Sequence, residues 1–444
     1  MAETKIEAVG EEGLVLVIGR WSLAALTINS ILGSGIFGLP SQVADLLGRL
    51  SPLSVILTGA ATAVIVACYA EVASQFTETG GTYLYARAAL GRFVGLQVGW
   101  MTLLGRLTAC AANANLLVIY LGEFWPRAAQ PMLRFSVITA LLGLLTVVNY
   151  CGVRAGTLVS NGFVIAKLAP LILICIVGSL YLASHAAVPV PMPAVSTHSW
   201  RTAILLLFFE YGGYEAALNP MGEARNPRRD VAFALFSALA VVTLIYTVIQ
   251  FVVVGVVRAP LHSERPLADA AQVFLGRGGA VLVAIGALVC VYGYLSANLL
   301  TGPRQIFALA EHRDFAPLLG AVHPKFKTPH VAILVFAFVA WSLALTGSFT
   351  WNVTLSAVSR LFYYGAICIA LPVLRRRQPG AAWFRLPAGP LVAVVGVAIC
   401  LVLLAGVDFS KSLILLATIA IALVNWIVVR KRSAAGGKSR HPAE

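Results

Sequence analysis

Arg106, Lys167, Glu210, Glu215 and Arg360 stand inside long apolar stretches of this 444-residue sequence. A charge at the centre of a bilayer costs at least about 2.5 kcal/mol unless it is paired or hydrated, so each becomes a candidate functional group if those stretches cross a membrane. Lys167, in SNGFVIAKLAPLIL, lies halfway along its run, too deep for its ammonium to reach the interface easily. Such an amine could take up and lose a proton during a working cycle, or remain a fixed charge that tethers its neighbours. Glu210 and Glu215 flank Gly212-Gly213 in FFEYGGYEAALNP, and a similar interruption, Gly33-Ser34-Gly35, stands in INSILGSGIFGLP near the start of the chain.

The interruptions carry a chemistry of their own. Glycine costs roughly 1 kcal/mol relative to alanine inside a helix and proline about 3, so Gly33, Gly35 and Pro40 weaken one short section of an otherwise apolar helix. Hydrocarbon does not tolerate the amides and carbonyls freed by a break, unless the break faces protein or a water-filled cavity. Amides at the start of the second half-helix favour an anion, and carbonyls at the end of the first favour a cation. An amino acid zwitterion carries both. Paired Gly/Pro-interrupted segments at corresponding positions of two halves point to a transport site at the midplane.

The elements that must hold these groups are membrane helices. The chain is 59% apolar and 11% charged, with a mean hydropathy of +0.88, where a soluble domain carries about 25% charged residues. At about 20 residues per crossing, twelve spans are expected: 14–47, 51–75, 93–121, 133–150, 156–182, 200–222, 231–257, 280–300, 330–347, 351–373, 388–407 and 412–429. The eighth is expected to continue as a helix to Glu311, beyond the membrane. Two five-span halves, 14–182 and 200–373, are followed by a pair of spans within 388–429. Residues 1–13 and the basic segment 430–444 read as cytoplasmic tails.

Arg87, Arg92, Arg228, Arg229, Arg375 and Arg376 exemplify a Lys/Arg excess in the tails and in alternate connections. The positive-inside rule then places both termini in the cytoplasm. The same excess accounts for the net charge of +14 without nucleic acid as a partner. The seven cysteines lie in or beside apolar runs without a C-x-x-C pair, and the seven histidines never cluster, so neither a metal nor a cofactor is expected. Scattered single charges do not form a channel's charged ring, and no nucleophile and base pair suggests an enzyme. A receptor that binds without moving its ligand remains the alternative from another class.

GSGIFGLP in the first span, FFEYGGYEAALNPMGEARNPRRDV through the sixth, and SANLLTGPRQIFALAEHRDFAP after the eighth resemble the amino acid-polyamine-organocation (APC) permeases. The resemblance covers nearly the whole chain. It implies an all-α polytopic membrane protein of twelve transmembrane helices. Two inverted five-helix repeats would have discontinuous helices 1 and 6, with the last two helices outside the repeat. It implies a secondary transporter of the bacterial inner membrane, a monomer or homodimer, that moves an amino acid with protons. The substrate carboxylate would lie on the amides of Ser34 and Gly35, within the Gly33 to Gly35 break, with the Ser34 hydroxyl nearby. The ammonium would meet carbonyls of Ile31, Phe209, Glu210 and Gly212, and Phe209 would sit where the family often has an aromatic gate. Lys167 resembles a lysine that stands in for sodium in proton-coupled members, between the first and eighth spans. Glu215 matches a common acidic position, as a coupling group or a cap on free amides.

Two departures bear on the substrate. Gly105-Arg106 stands where several cationic-substrate relatives resemble one another in carrying Glu-Tyr, so the expected substrate has a neutral side chain. Glu210 stands where the family usually has a small residue. It could bind the distal charge of a cationic amino acid or polyamine, or pair with Arg106, Lys167 or Arg360; pairing is the expectation, with Arg360 otherwise structural or gating. Glu223 and Glu71, near the inner surface, are expected in structural contacts with arginine, Glu223 with Arg225, Arg228 or Arg229.

Overall fold

The computed structural model describes residues 19–76, 81–152, 167–186, 193–215, 218, 226–257 and 263–437. The chain alternates apolar runs with Gly, Pro and Ser stops, and in hydrocarbon only helices or closed barrels satisfy every backbone group. Among the described residues it is helical throughout, without strands. Glu223 and Arg225, the tail 1–13, the start of the fifth span and most of the sixth beyond Tyr214 lie outside the described residues.

The first run does not form one helix. It divides into α1 (Arg20–Ile31), α2 (Gly35–Gly38) and α3 (Pro40–Leu47), with residues 32–34 belonging to none of them. Gly48, at φ +53°, turns the chain into α4 (Ser51–Ala73). Then follow α5 (Gly81–Leu90), α6 (Arg92–Leu121), α7 (Pro131–Cys151) and α8 (Lys167–Ser184), the last with a π-helical turn at Ile174–Gly178.

In the second half, α9 (Thr197–Glu210) opens on a capping box, Ser196 accepting from the Ser199 amide at 3.1 Å, and stops at the second predicted interruption. The chain continues through α10 (Pro227–Val256), α11 (Pro266–Glu311), α12 (His330–Thr346), α13 (Phe349–Arg377), α14 (Gly389–Leu404) and α15 (Phe409–Gly437). The continuation of α11 to Glu311 was expected, but its start at Pro266 was not. The added segment carries Asp269 in its first turn and bends at Gly276, φ +66°, so a reading on apolar length passes over it.

Nine helical segments among the described residues are long and apolar enough to cross a membrane, against the twelve spans expected. The helices α9, α12 and α14 fall short of that length, with 14, 17 and 16 residues, α9 because it ends at a break.

Packing concentrates on α1, α4, α6, α10, α11 and α13. The outward sides of α7 and α15 are largely apolar and exposed, as lipid-facing helices require. One end of the bundle is fastened by two buried carboxylates. Glu71 of α4 accepts from Arg375 at 2.5 and 2.7 Å and from the Leu386 amide at 2.8 Å, an arginine contact as expected although with a partner distant in sequence. Asp314, fully buried, accepts from Tyr83, from Arg92 at 2.7 Å and from Arg87 at 3.4 Å. Burial and the Asp314 hydrogen bond push the Tyr83 phenol well above its ordinary value, so it stays protonated and donates. The Asp314 contacts tie α5 and the start of α6 to the segment that follows α11, and the Glu71 contacts tie α4 to α13.

Candidate functional site

The two breaks face each other across almost no distance. A Cβ built on Gly35 would stand 3.0 Å from the Glu210 Cα, and one built on Gly213 would stand 2.3 Å from the Ser30 carbonyl oxygen. Gly213 also has φ +115°, which L side chains rarely adopt. Glycine is required at 213 for the backbones to meet, and at 35 a side chain would press on Glu210. Beside them opens a cavity of about 680 Å³, lined by the first break, by the end of α9, and by residues of α6, α8, α11 and α13. Its size falls within the roughly 300–1,000 Å³ of small-molecule sites. Ser34, Gly35 and Phe209 are buried, whereas Arg304 and Ala308 of α11 and His312 just after it are exposed lining residues, so the cavity reaches the surface at the Tyr83 and Asp314 end.

At the first break the backbone is unevenly satisfied. Leu32 still donates to Ile28 at 2.9 Å and Phe37 to Ser34 at 3.1 Å, but the amides of Ser34, Gly35 and Ile36 find no acceptor among the described residues. The carbonyls on the other side are held by cations and hydroxyls. Lys167, at the described start of α8, donates to the carbonyls of Asn29 and, at 2.7 Å, Leu32. An ammonium at the carbonyl end of a half-helix is the favourable arrangement for the helix dipole.

Tyr246 of α10 was not anticipated. Its hydroxyl reaches the carbonyl oxygens of Ile31 at 3.1 Å and Glu210 at 3.3 Å, spanning the two half-helix ends. A tyrosine within an apolar run has no distinguishing sequence signal, since its partners come from two distant breaks. Tyr246→Phe is expected to remove about 1 kcal/mol of hydrogen bonding and to weaken substrate affinity about five-fold. A binding titration on detergent-purified protein measures it, and unchanged affinity would show the hydroxyl to be dispensable.

The predicted ionisable groups assemble differently from the expectation. Arg360 of α13 pairs with Glu215 at 2.7 Å, and Glu215 also accepts from Tyr363 at 2.9 Å, Tyr364 at 3.2 Å and the Gly213 amide at 3.0 Å. The carboxylate therefore caps a free amide of the second break and anchors it to α13. Tyr69, Tyr214 and Tyr364 form a layer of rings beneath, with centroids 5.3–5.7 Å apart. The Arg360 guanidinium lies over the Phe209 ring at 5.9 Å and against Gly212, where a Cβ would stand 2.0 Å from its Nη1. Arg106 donates to Thr301 at 3.1 Å.

The expected ion pair of Glu210 is thus absent. Arg360 is engaged by Glu215, Lys167 by two carbonyls and Arg106 by a hydroxyl, and among the described residues the Glu210 side chain makes neither a hydrogen bond nor an ion pair. It is 4% exposed and belongs to the cavity lining. Gly105 lines the same cavity with only ordinary contacts to Ser356 and Ser359 around it.

A family profile described as amino acid permease matches residues 18–429. An uncharacterized transporter of Mycobacterium tuberculosis is 30% identical, the match covering 89% of this chain and 87% of the relative. The serine/threonine exchanger SteT of Bacillus subtilis is 27% identical over 87% of this chain and 90% of its own. Cationic amino acid transporter 4 of Mus musculus is 25% identical over 88% of this chain and 64% of its own.

Proposed function

We propose that this chain, which belongs to the amino acid permease family of the APC superfamily, is a secondary transporter that carries an amino acid across the plasma membrane by alternating access. The observation that carries the reading is the first break, where the unaccepted amides of Ser34 and Gly35 face the cavity that also meets the end of α9. The amides suit a carboxylate. The carbonyls of Ile31, Phe209, Glu210 and Gly212 would receive the ammonium, Ile31 and Glu210 sharing theirs with Tyr246 and Phe209 with the Gly212 amide. With the site fixed, twelve spans arranged as two inverted five-helix repeats plus two further helices would rock about it.

In this reading Lys167 is the coupling group. Its ammonium ties off the carbonyl end of the first half-helix, and loss of its proton would free the Asn29 and Leu32 carbonyls and loosen α1. Glu215 holds the second break to Arg360 as the opposing, more rigid attachment. Both termini lie in the cytoplasm of a bacterial inner membrane, so the cavity opens inward, on the side of Arg87, Arg92 and Arg375. The side chain of the substrate has two readings. Gly105 leaves the third span without an acid, which supports a neutral amino acid, while the unpartnered Glu210 favours a cationic one.

The test is flux, because a receptor would bind and not move its ligand. Purified protein in proteoliposomes should take up labelled amino acid and accumulate it under an inward-acid gradient. Saturable binding without uptake would contradict the reading.

A further inference from the structure

The Glu210 carboxyl group is buried without a counter-charge. Its residue is 4% exposed and lines the cavity. Among the described residues no amide, hydroxyl or cation donates to its oxygens, and the nearby cations are committed to Glu215, Thr301 and the carbonyls of Asn29 and Leu32. An uncompensated anion is disfavoured there, so the carboxylate form calls for a cation beside it. Its Cβ and Cγ each lie 3.1 Å from where a Gly35 Cβ would stand, so the side chain is rooted beside the break whose amides are open.

A zwitterion with a neutral side chain adds no net charge to this site and leaves the carboxylate uncompensated. A solute of net charge +1 brings a carboxylate for the Ser34 and Gly35 amides, an α-ammonium, and one further cation. Occupied by it, the site is neutral with respect to Glu210. Resting on the transport reading above, we infer that Glu210 is the specificity-determining residue for an amino acid with a cationic side chain. It supplies from the sixth-span break the acidity that Gly105 leaves out of the third span.

The neutral isostere of the side chain separates charge from shape. Uptake of labelled arginine and of its uncharged analogue citrulline is measured in proteoliposomes for wild type, Glu210→Gln and Glu210→Asp. Wild type should prefer arginine at least ten-fold. Glu210→Gln, checked for folding by its thermal midpoint, should lose at least ten-fold of the arginine-over-citrulline preference, and Glu210→Asp should keep it. Wild type that takes citrulline as well as arginine, or a Gln variant indistinguishable from wild type, overturns the inference and leaves amino acid transport standing. Wild type that moves no amino acid contradicts the transport reading itself.

Discussion

Arg360→Ala is expected to cost about 3–5 kcal/mol of stability, because it strands the Glu215 carboxylate in a buried site. The side chains of the pair are 9% and 15% exposed at 2.7 Å, and the remaining donors to Glu215, two phenols and one amide, are neutral. The loss should appear as a fall in the thermal midpoint of detergent-purified protein and as reduced yield. Arg360→Ala combined with Glu215→Gln should recover much of it, since the double variant buries no uncompensated charge. The recovery separates a charge effect from lost packing of the guanidinium over Phe209 and against Gly212. A midpoint unchanged in Arg360→Ala would mean that the pair contributes nothing to holding the second break on α13.

The next largest effect is expected at Gly213. Alanine there must adopt φ near +115° and place its Cβ 2.3 Å from the Ser30 carbonyl oxygen, which is backbone and cannot swing aside. Left-handed backbone alone costs an L-residue roughly 1–2 kcal/mol. Relief of the clash requires the two breaks to move apart, away from the bridge that Tyr246 makes between them. Gly213→Ala should therefore lose at least ten-fold in uptake and also lower the thermal midpoint. Gly143→Ala in α7, where nothing lies within 4 Å of the added methyl, is the control and should match wild type. Equal behaviour of the two variants would contradict the close meeting of the breaks.

Legibility from sequence followed the physics of each signal. Helix breaks are local, and both were readable: Gly33-Ser34-Gly35 weakens a helix whatever surrounds it, and the structure departs from helix at residues 32–34 and again after Glu210. Long apolar runs such as Arg92–Leu121 were equally plain. The division of the first run by Gly48, and the start of α11 at Pro266, were not, because apolar length reports neither a turn nor a helical stretch that carries a charge and a bend. Pairing was the least legible. Glu210 had three candidate cations and takes none, since which carboxylate meets Arg360 depends on how the turn after α9 folds back; Glu215, five residues later, reaches it instead. Tyr246 and the Glu71–Arg375 contact join positions remote in sequence, for which one sequence carries no signal.

Proton coupling at Lys167, as proposed above, is open to a direct test. Lys167→Ala reconstituted beside wild type, with labelled amino acid uptake followed with and without an inward-acid gradient, tests it most directly. Wild type should accumulate substrate above equilibrium only with the gradient, and the variant should no longer respond to it. A Lys167→Ala protein that the gradient drives as strongly as wild type would rule out coupling at Lys167.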